Sequence, residues 1–245
     1  MIETVIIPPR FCGPAASANG GYVCGLLAGA LPGARDGAVE ATLKAPPPLD
    51  APLIIERTDG DARLLHNETE IAIATSATLD LDPPPMPSRA AAEAASARYQ
   101  GFKSHIYPTC FVCGSERAQG DGLRIFTGPV EDKSLVAAIW TPASADCDAS
   151  GLALPEIVWA ALDCPGYFAL QEPMPALLGR MRAHVRARPR ADEHCVVVGW
   201  RLGQEGRKHF SATAIYGDDA RLIGLSQQTW IELPRERVVK EAVNA

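Results

Sequence analysis

The longest apolar run of the chain covers residues 154–170 and predicts a buried helix, since it has no polar face. Pro155 suits the first helical position, where a backbone N–H has no partner within the helix. Pro165 lacks the N–H that would bond to the carbonyl of Ala161, so we expect a kink there. Asp163 lies in the middle of the run. A buried carboxylate is costly unless another group pairs with it, so Asp163 is the first candidate for function.

A second apolar segment, nearer the start of the chain, runs to Leu31 and predicts another helix. Ser17 or Asn19 can cap it, because either side chain can accept a hydrogen bond from the first turn. Gly20 and Gly21 follow and would let another group approach the backbone closely. The glycines serve either helix packing or a ligand, and Asn19 serves as a cap, a ligand contact or both.

Stretches in which apolar and polar residues alternate surround both helices and are typical of antiparallel strands. Around the first helix, the predicted strands cover residues 2–7, 38–43, 52–57, 62–69 and 70–81. Around the second helix, they cover residues 123–126, 135–140, 180–189, 194–202, 208–216 and 221–233.

A segment rich in proline and alanine separates the two sets of strands. This change of composition predicts a linker at residues 83–100, with a short helix capped by Ser88. The linker divides the chain into a first repeat at residues 1–82 and a second at residues 101–236, followed by a tail at residues 237–245.

The two halves also match each other in sequence. With an offset of 142 residues, Ala41 falls on Ala183 in the strand after each helix. With an offset of 151 residues, Ile71 falls on Leu222 in the last strand of each half. Because these matches occur in the same order behind each helix, we favour an internal duplication.

Composition narrows the class of protein. The chain has 245 residues, of which 47% are hydrophobic and 21% charged, as expected for a soluble globular protein. The net charge of -6 argues against nucleic acid as the main partner. No apolar run reaches the roughly 18 residues that span a membrane, and the start lacks a signal-peptide pattern. We therefore expect a cytoplasmic protein.

Seven cysteines are scattered along the chain. Without a secretion signal, reduced thiols are the expected state. Cys110 and Cys113 form one C-x-x-C pair, but a structural zinc site usually needs a second pair at suitable spacing. No second pair follows, so we expect buried or loop thiols and no metal site.

Three motifs resemble those of the double-hotdog acyl-CoA thioesterase-like proteins. The pattern S-x-N-G-G-Y at residues 17–22 resembles the opening of the central helix in the first hotdog repeat. The patterns C-F-V-C-G at residues 110–114 and G-x-G-L at residues 120–123 resemble a segment that precedes many hotdog thioesterase domains. Residues 159–165 resemble the second central helix. The resemblance implies an α+β fold of two tandem hotdog repeats, each an antiparallel sheet wrapped around a central helix, which together form a pseudo-dimer.

The resemblance also implies a mechanism. Backbone N–H groups at the start of the first helix would polarise a thioester carbonyl. Asp163, from the other helix, would attack the carbonyl or activate water. The first helix has Ala28 where hotdog relatives often carry the acid. Of the two sites that a pair of repeats could form, only the one with Asp163 therefore has a carboxylate. Alternatively, Asp163 only accepts hydrogen bonds from the first helix. The substrate-binding residues would be Asn19, Gly20, Gly21 and Tyr22.

Two further sites follow from the resemblance and from strand periodicity. Double hotdogs that resemble thioesterase II carry a glutamine that helps to position the attacking water, and Gln228 falls at that place. The aspartate and threonine that act with this glutamine in that family are missing from this sequence. Alternatively, Gln228 faces solvent. Arg182 and Arg186 belong to a stripe of basic residues at even positions, which share one face of a strand. That face is either solvated or a cradle for the phosphates of coenzyme A.

Three functions are compatible with these residues. The first is a hydrolase that acts on an acyl-CoA or related thioester without a cofactor. The second is a non-catalytic hotdog module that binds an acyl or aromatic CoA-type ligand, since the thioesterase triad is incomplete. A hotdog dehydratase ranks last because the expected histidine base is missing. Both a monomer and a homodimer of double hotdogs remain open.

Overall fold

The computed structural model describes residues 2–31, 37–170 and 174–234. Its helices are α1 (Gly20–Ala30), α2 (Arg89–Ser96) and α3 (Pro155–Phe168). Its strands are β1 (Ile2–Ile6), β2 (Ala38–Leu43), β3 (Pro52–Arg57), β4 (Asp61–His66), β5 (Thr69–Ala77), β6 (Gly128–Pro129), β7 (Val136–Trp140), β8 (Ala176–Val185), β9 (Cys195–Glu205), β10 (Lys208–Tyr216) and β11 (Leu222–Glu232). Within the described residues, no helix is long and apolar enough to cross a membrane.

The predicted helix starts are confirmed because they depend on local capping. The side chain of Asn19 accepts a hydrogen bond from the N–H of Tyr22 at 2.9 Å and caps α1. Pro155 is the first residue of α3, as predicted. Pro165 lies inside α3, which continues past it to Phe168. The linker helix α2 begins after Ser88, which caps it as predicted.

Two strand predictions need correction. Residues 123–126 do not form a strand, because Leu123 and Ile125 donate backbone hydrogen bonds to the neighbouring loop at Phe111 and Val112. The strand predicted at residues 180–189 is shifted towards the start of the chain and ends at Val185, as β8. The other predicted strands are present with boundary shifts of a few residues.

All the strands form one antiparallel sheet with the order β1-β3-β4-β5-β2-β8-β11-β10-β9-β7-β6. In the first half of the sheet, β1 to β5, strands β2 to β5 contact α1, which also contacts β8. In the second half, β6 to β11, strands β7 to β11 contact α3, and α2 contacts β6 and β7. The halves meet where β2 pairs with β8. There Glu40 lies opposite Arg182, which donates from Nε to Glu40 Oε2 at 3.0 Å. The two helices also pack against each other.

Several backbone hydrogen bonds occur once in each half. Before each helix, the N–H of Asn19 donates to Phe11 O at 2.8 Å, and the N–H of Leu154 donates to Asp146 O at 2.9 Å. After each helix, two successive N–H groups donate to the same carbonyl. In the first half, Lys44 and Ala45 donate to Ile71 O, and in the second half, Arg186 and Ala187 donate to Ile223 O. Asn19 therefore corresponds to Leu154.

These bonds correct the sequence match of the last strands by one residue. Ile71 corresponds to Ile223 and not to Leu222, because the carbonyls of Ile71 and Ile223 accept equivalent bonds. With this register, Gln228 corresponds to Ser76. The correction matters because a shift of one residue moves a side chain to the opposite face of a strand.

Helices α1 and α3 approach each other most closely at two glycines one turn apart. A Cβ atom added at Gly21 would lie 2.5 Å from Asp163 Cβ and 2.9 Å from Trp159 O. A Cβ atom added at Gly25 would lie 2.5 Å from Glu156 Cα. No larger residue fits at either position without separating the helices. Gly21 therefore serves helix packing, which was one of its two predicted roles.

We expect Gly21→Ala to lower the free energy of unfolding by about 3 kcal/mol, the upper end of the usual cost of overpacking, because the added methyl group meets a neighbouring backbone. Gly29→Ala is the matched control. Gly29 lies on the same helix, and in the described part of the chain no atom beyond its chain neighbours and its own helix backbone would come within 4 Å of the added Cβ. Because alanine has a higher helix propensity than glycine, the Gly29→Ala variant should be more stable than the unmodified chain by about 0.5–1 kcal/mol. Urea unfolding of both variants measures the difference, and equal stabilities would contradict the packing argument.

Candidate active site

The start of α1 and the middle of α3 converge on one carboxylate oxygen. Asp163 Oδ2 accepts a hydrogen bond from Asn19 Nδ2 at 2.9 Å and another from the Gly21 N–H at 3.0 Å. Asn19 thus caps α1 through its side-chain oxygen and holds Asp163 through its side-chain nitrogen. The predicted approach of Asp163 to the first helix is confirmed.

The carboxyl group of Asp163 is buried, with 2% of the residue exposed. Burial raises its pKa to about 7, and the hydrogen bonds from Gly21 and Asn19 oppose this rise because they favour the ionised form. Among the described residues, Asp163 Oδ1 has no hydrogen-bond partner. A carboxyl group with one oxygen held and the other unpaired, and with a pKa near neutrality, is suited to exchanging a proton.

Gly20 completes the start of α1. The described part of the chain provides no hydrogen-bond partner for its N–H, whereas the next three N–H groups of the helix all have one. Gly20 also lines a cavity of about 310 Å³ that reaches Asp163. At a helix start, an unpaired N–H carries the partial positive charge of the helix dipole. The two glycines therefore differ: Gly21 serves packing and binds Asp163, while Gly20 presents an N–H.

The cavity lies beside the start of α1 and is lined mostly by apolar side chains. Its volume is at the small end of the range for ligand pockets. Cys110, Cys113 and Cys164 also line it, next to Asp163. Its apolar lining includes Leu43, Ile106, Tyr107, Phe168, Leu178 and Trp230. An acyl or aromatic group would fit this surface, with its polar end at Asp163 and Gly20.

Three residues predicted to bind substrate lie outside this cavity lining. The ring of Tyr22 stacks on Phe11 with centroids 4.2 Å apart, and burial raises the pKa of its hydroxyl to about 12. Arg182 pairs with Glu40 at the junction of the two halves. Arg186 is exposed and follows the end of β8. Tyr22 thus contributes its backbone to the capping of α1, and Arg182 joins β2 to β8.

Gln228 is buried in a polar cluster between the sheet and α3, also outside the cavity lining. Its Nε2 donates to the carbonyl of Leu162, which also accepts from Thr213 Oγ1 at 2.7 Å. Its Oε1 accepts from Ser211 Oγ at 3.0 Å and from Trp230 Nε1 at 3.2 Å. The side chain therefore does not face solvent. Its amide holds the residue immediately before Asp163 and positions α3.

We expect Gln228→Met to lower the free energy of unfolding by about 1–3 kcal/mol, because several buried polar groups then lose a partner. Methionine keeps a similar length, so the loss reports hydrogen bonds rather than volume. Gln227→Met is a control on the same strand, at a position that is only half-buried. Urea unfolding of both variants is the measurement. A stable Gln228→Met protein would show that this cluster does not hold α3.

The convergence of three cysteines was missed in the sequence. Cys164 follows Asp163 on α3, and its Sγ lies 3.7 Å from that of Cys110. Hydrogen bonds from the thiols of Cys113 and Cys164 lower the pKa of Cys110 well below its usual value. The C-x-x-C pair was a signal for this cluster, but its loop packs on a helix whose Cys164 lies 54 residues after Cys110, and spacing does not reveal such a tertiary contact.

The fold matches solved structures over nearly the whole chain. A tesB protein from Mycobacterium avium subspecies paratuberculosis gives a TM-score of 0.62 at 13% identity, covering 95% of this chain and 93% of that chain. A protein from Thermobifida fusca, provisionally described as a thioesterase II, gives 0.61 at 15% identity, covering 95% and 92%. A hotdog-fold protein of unknown function from Alicyclobacillus acidocaldarius gives 0.55 at 12% identity, covering 95% and 93%.

Similarity at the sequence level is much weaker. The sequence matches no family model, and no curated protein is significantly similar to it. At these identities the solved structures establish the fold alone. The large antiparallel sheet with few helices agrees with the predicted α+β class. The chain therefore has the hotdog fold that its sequence motifs predicted.

Proposed function

We propose that the chain is a tandem double hotdog that hydrolyses an acyl-CoA or related thioester at the start of α1. The observation that carries this proposal is the meeting of Asp163 with the first turn of α1, beside a cavity that fits an acyl group. The thioester class rests on the name of the Thermobifida fusca neighbour, and the CoA group rests on the resemblance of the sequence motifs. The roles of the residues come from the geometry of this site.

The proposed repeats follow the equivalent hydrogen bonds of the two halves. The first repeat covers residues 1–82, the linker residues 83–100 and the second repeat residues 101–236, although residues beyond 234 lie outside the described part of the chain, as does the tail at 237–245. The strongest support is the pair of left-handed residues Asp50 and Asp192, which occur at matching positions with φ of 50° and 63°. Their N–H groups donate to Ile7 O and Pro142 O respectively.

In the proposed reaction, the thioester carbonyl lies against the Gly20 N–H, which stabilises negative charge on the oxygen as the carbonyl is attacked. Asp163 either accepts a proton from water that attacks the carbonyl or attacks it directly. Asn19 positions Asp163 and leaves its Oδ1 unpaired. If Asp163 acts as a base, the carbon–sulfur bond breaks, the thiolate takes the proton that Asp163 accepted from water, and the acyl group leaves as a carboxylic acid. If Asp163 attacks directly, the thiolate leaves and takes a proton from solvent, and water then hydrolyses the acyl–aspartate anhydride and restores the carboxylate.

Only one of the two helix starts can perform this chemistry. The position equivalent to Gly20 is Pro155, which has no N–H to offer a carbonyl. The position equivalent to Asp163 is Ala28, which has no carboxylate. A duplicated chain with one complete site and one lacking both groups agrees with division of labour between repeats. We expect one substrate per chain.

A thiol-release assay on straight-chain and aromatic acyl-CoA substrates tests the proposal. The full chain should release coenzyme A from at least one substrate well above the rate without protein. A control without substrate corrects for the cysteines of the chain. If none is hydrolysed, yet an acyl-CoA protects the protein from thermal unfolding, the site is a non-catalytic binding module. The predicted cytoplasmic location and the choice between monomer and homodimer remain separate predictions.

A further inference from the structure

Three buried thiols meet at the wall of the cavity. Cys110 and Cys113 lie on the loop before β6, and Cys164 lies on α3. Their sulfur atoms all lie within 4.8 Å of one another, and those of Cys110 and Cys164 are 3.7 Å apart. We call these three residues the thiol cluster. None of them is in a disulfide.

This spacing suits a shared metal ion. Zinc binds thiolate sulfur at about 2.3 Å, so two sulfur ligands at a tetrahedral angle are about 3.8 Å apart. The distance between Cys110 and Cys164 already has this value. Cys113 would need to move by about 1 Å at most, which a change of side-chain rotamer allows.

The loop that carries two of the thiols is held by its backbone. The N–H of Gly114 donates to Cys110 O at 2.8 Å, and the N–H of Phe111 donates to Cys12 O at 2.7 Å. A Cβ atom at Gly114 would lie 2.5 Å from Cys110 O, so the tight turn requires glycine. The backbone thus presents both thiols to Cys164 without help from an ion. A site that is formed in advance binds a metal without paying the full entropy of ordering its ligands.

The surroundings also favour a cation. Asp163 lies beside the thiol cluster and lines the same cavity, with Oδ1 unpaired among the described residues. Lys44 is the only lysine or arginine among the described residues that line the cavity, and it is paired with Glu70. His105 is already engaged, because its Nδ1 accepts from the Tyr107 N–H and its Nε2 bonds to Cys113 O. Among the described residues that line the cavity, no unpaired lysine or arginine therefore balances the three thiols if they ionise.

We propose that Cys110, Cys113 and Cys164 bind one thiophilic metal ion, zinc in the first instance, with a fourth coordination position open to the cavity. Three soft sulfur ligands select zinc or Cu(I) over calcium and magnesium. Each thiol that becomes a ligand releases its proton to solvent. An open fourth position distinguishes this site from a closed structural zinc site. The proposal revises the expectation that this chain has no metal site, and it does not depend on the thioesterase function.

Cobalt titration of the full, reduced, metal-free chain tests the proposal. One equivalent of Co²⁺ should produce sulfur-to-cobalt charge-transfer absorption and the strong visible bands of tetrahedral cobalt. Zinc should then displace it. A parallel titration with Cu(I) determines which of the two thiophilic ions binds more tightly. Absence of the charge-transfer absorption, together with no retention of zinc or Cu(I) after dialysis, would overturn the proposal.

Variants separate the thiol cluster from the other cysteines. Cys164→Ser and Cys113→Ser should each weaken zinc binding by at least about tenfold. Cys195→Ser is the matched control, because Cys195 is also fully buried but lies on β9, outside the cavity lining. If a Cys164→Ser chain does not fold, protection provides the second test: zinc should shield three thiols of the unmodified chain from alkylation. Equal zinc affinity in all variants, or no protected thiols, would contradict the assignment.

Discussion

Asp163→Asn should reduce thioester hydrolysis by about 10²- to 10⁴-fold, the range expected when a general base is removed. Asparagine has nearly the same shape, and its side-chain oxygen can still accept the hydrogen bonds from Asn19 and the Gly21 N–H. The variant therefore removes the ability to take a proton or attack the carbonyl while it preserves the contact between the helices. Steady-state thiol release on the best substrate of the wild-type chain is the measurement.

The same variant distinguishes a catalytic carboxylate from a structural one. Because burial raises the pKa of Asp163, ionisation of this group opposes folding near neutral pH, and asparagine avoids that cost. We therefore expect no loss in the free energy of unfolding of Asp163→Asn at pH 7. Asp219→Asn, in the exposed turn between β10 and β11, is a control that should retain full activity. An Asp163→Asn chain that unfolds easily and keeps its activity per folded molecule would assign Asp163 to structure alone.

The parts of the site that depend on local chemistry could be predicted from the sequence. Asn19 caps a helix because its short side chain reaches back to the first turn, and Pro155 begins a helix because it needs no N–H. Both effects act within three residues. The approach of Asp163 to α1 was predicted from the family resemblance. Gly21 and Gly25 permit this approach, because they lack the side chains that would separate the helices.

The parts that depend on register and tertiary packing could not be predicted. The residue of the first half that corresponds to Gln228 depends on an alignment of the two halves that the sequence match misjudged by one residue. In addition, no periodicity shows which carbonyl the amide of Gln228 will meet. The thiol cluster requires a loop and a helix from distant parts of the chain to come together. The strand predicted at residues 123–126 failed for a similar reason, because its backbone bonds to an irregular loop instead of another strand.

Gly20→Pro tests the other half of the proposed mechanism, since it removes one N–H and nothing else from the backbone. Proline is well tolerated at the first position of a helix, and Asn19 already has the extended conformation that proline requires of its predecessor, with φ of -60° and ψ of 131°. The second half of the sheet and its helix have Pro155 at the position that corresponds to Gly20. The helix should therefore form, with the Gly21 N–H still donating to Asp163.

We expect Gly20→Pro to reduce kcat by about 10²- to 10³-fold, the usual effect of removing one donor to a developing oxyanion. Gly20→Ala is the control, because alanine keeps the N–H. Its Cβ meets the same neighbours as the Cβ of proline, Leu43 and Leu178, at 3.0 Å. The two contacts at 3.0 Å are with the ends of flexible side chains and a third, at 3.1 Å, is with Leu178 Cβ, so small side-chain shifts should let both variants fold. The proline ring also adds Cγ and Cδ beside the position of the N–H, so in thiol-release kinetics the KM reports the space lost to the ring and kcat reports the loss of the N–H. Equal kcat values for the two variants would mean that the carbonyl is polarised elsewhere, and that the first turn of α1 serves only to hold Asp163.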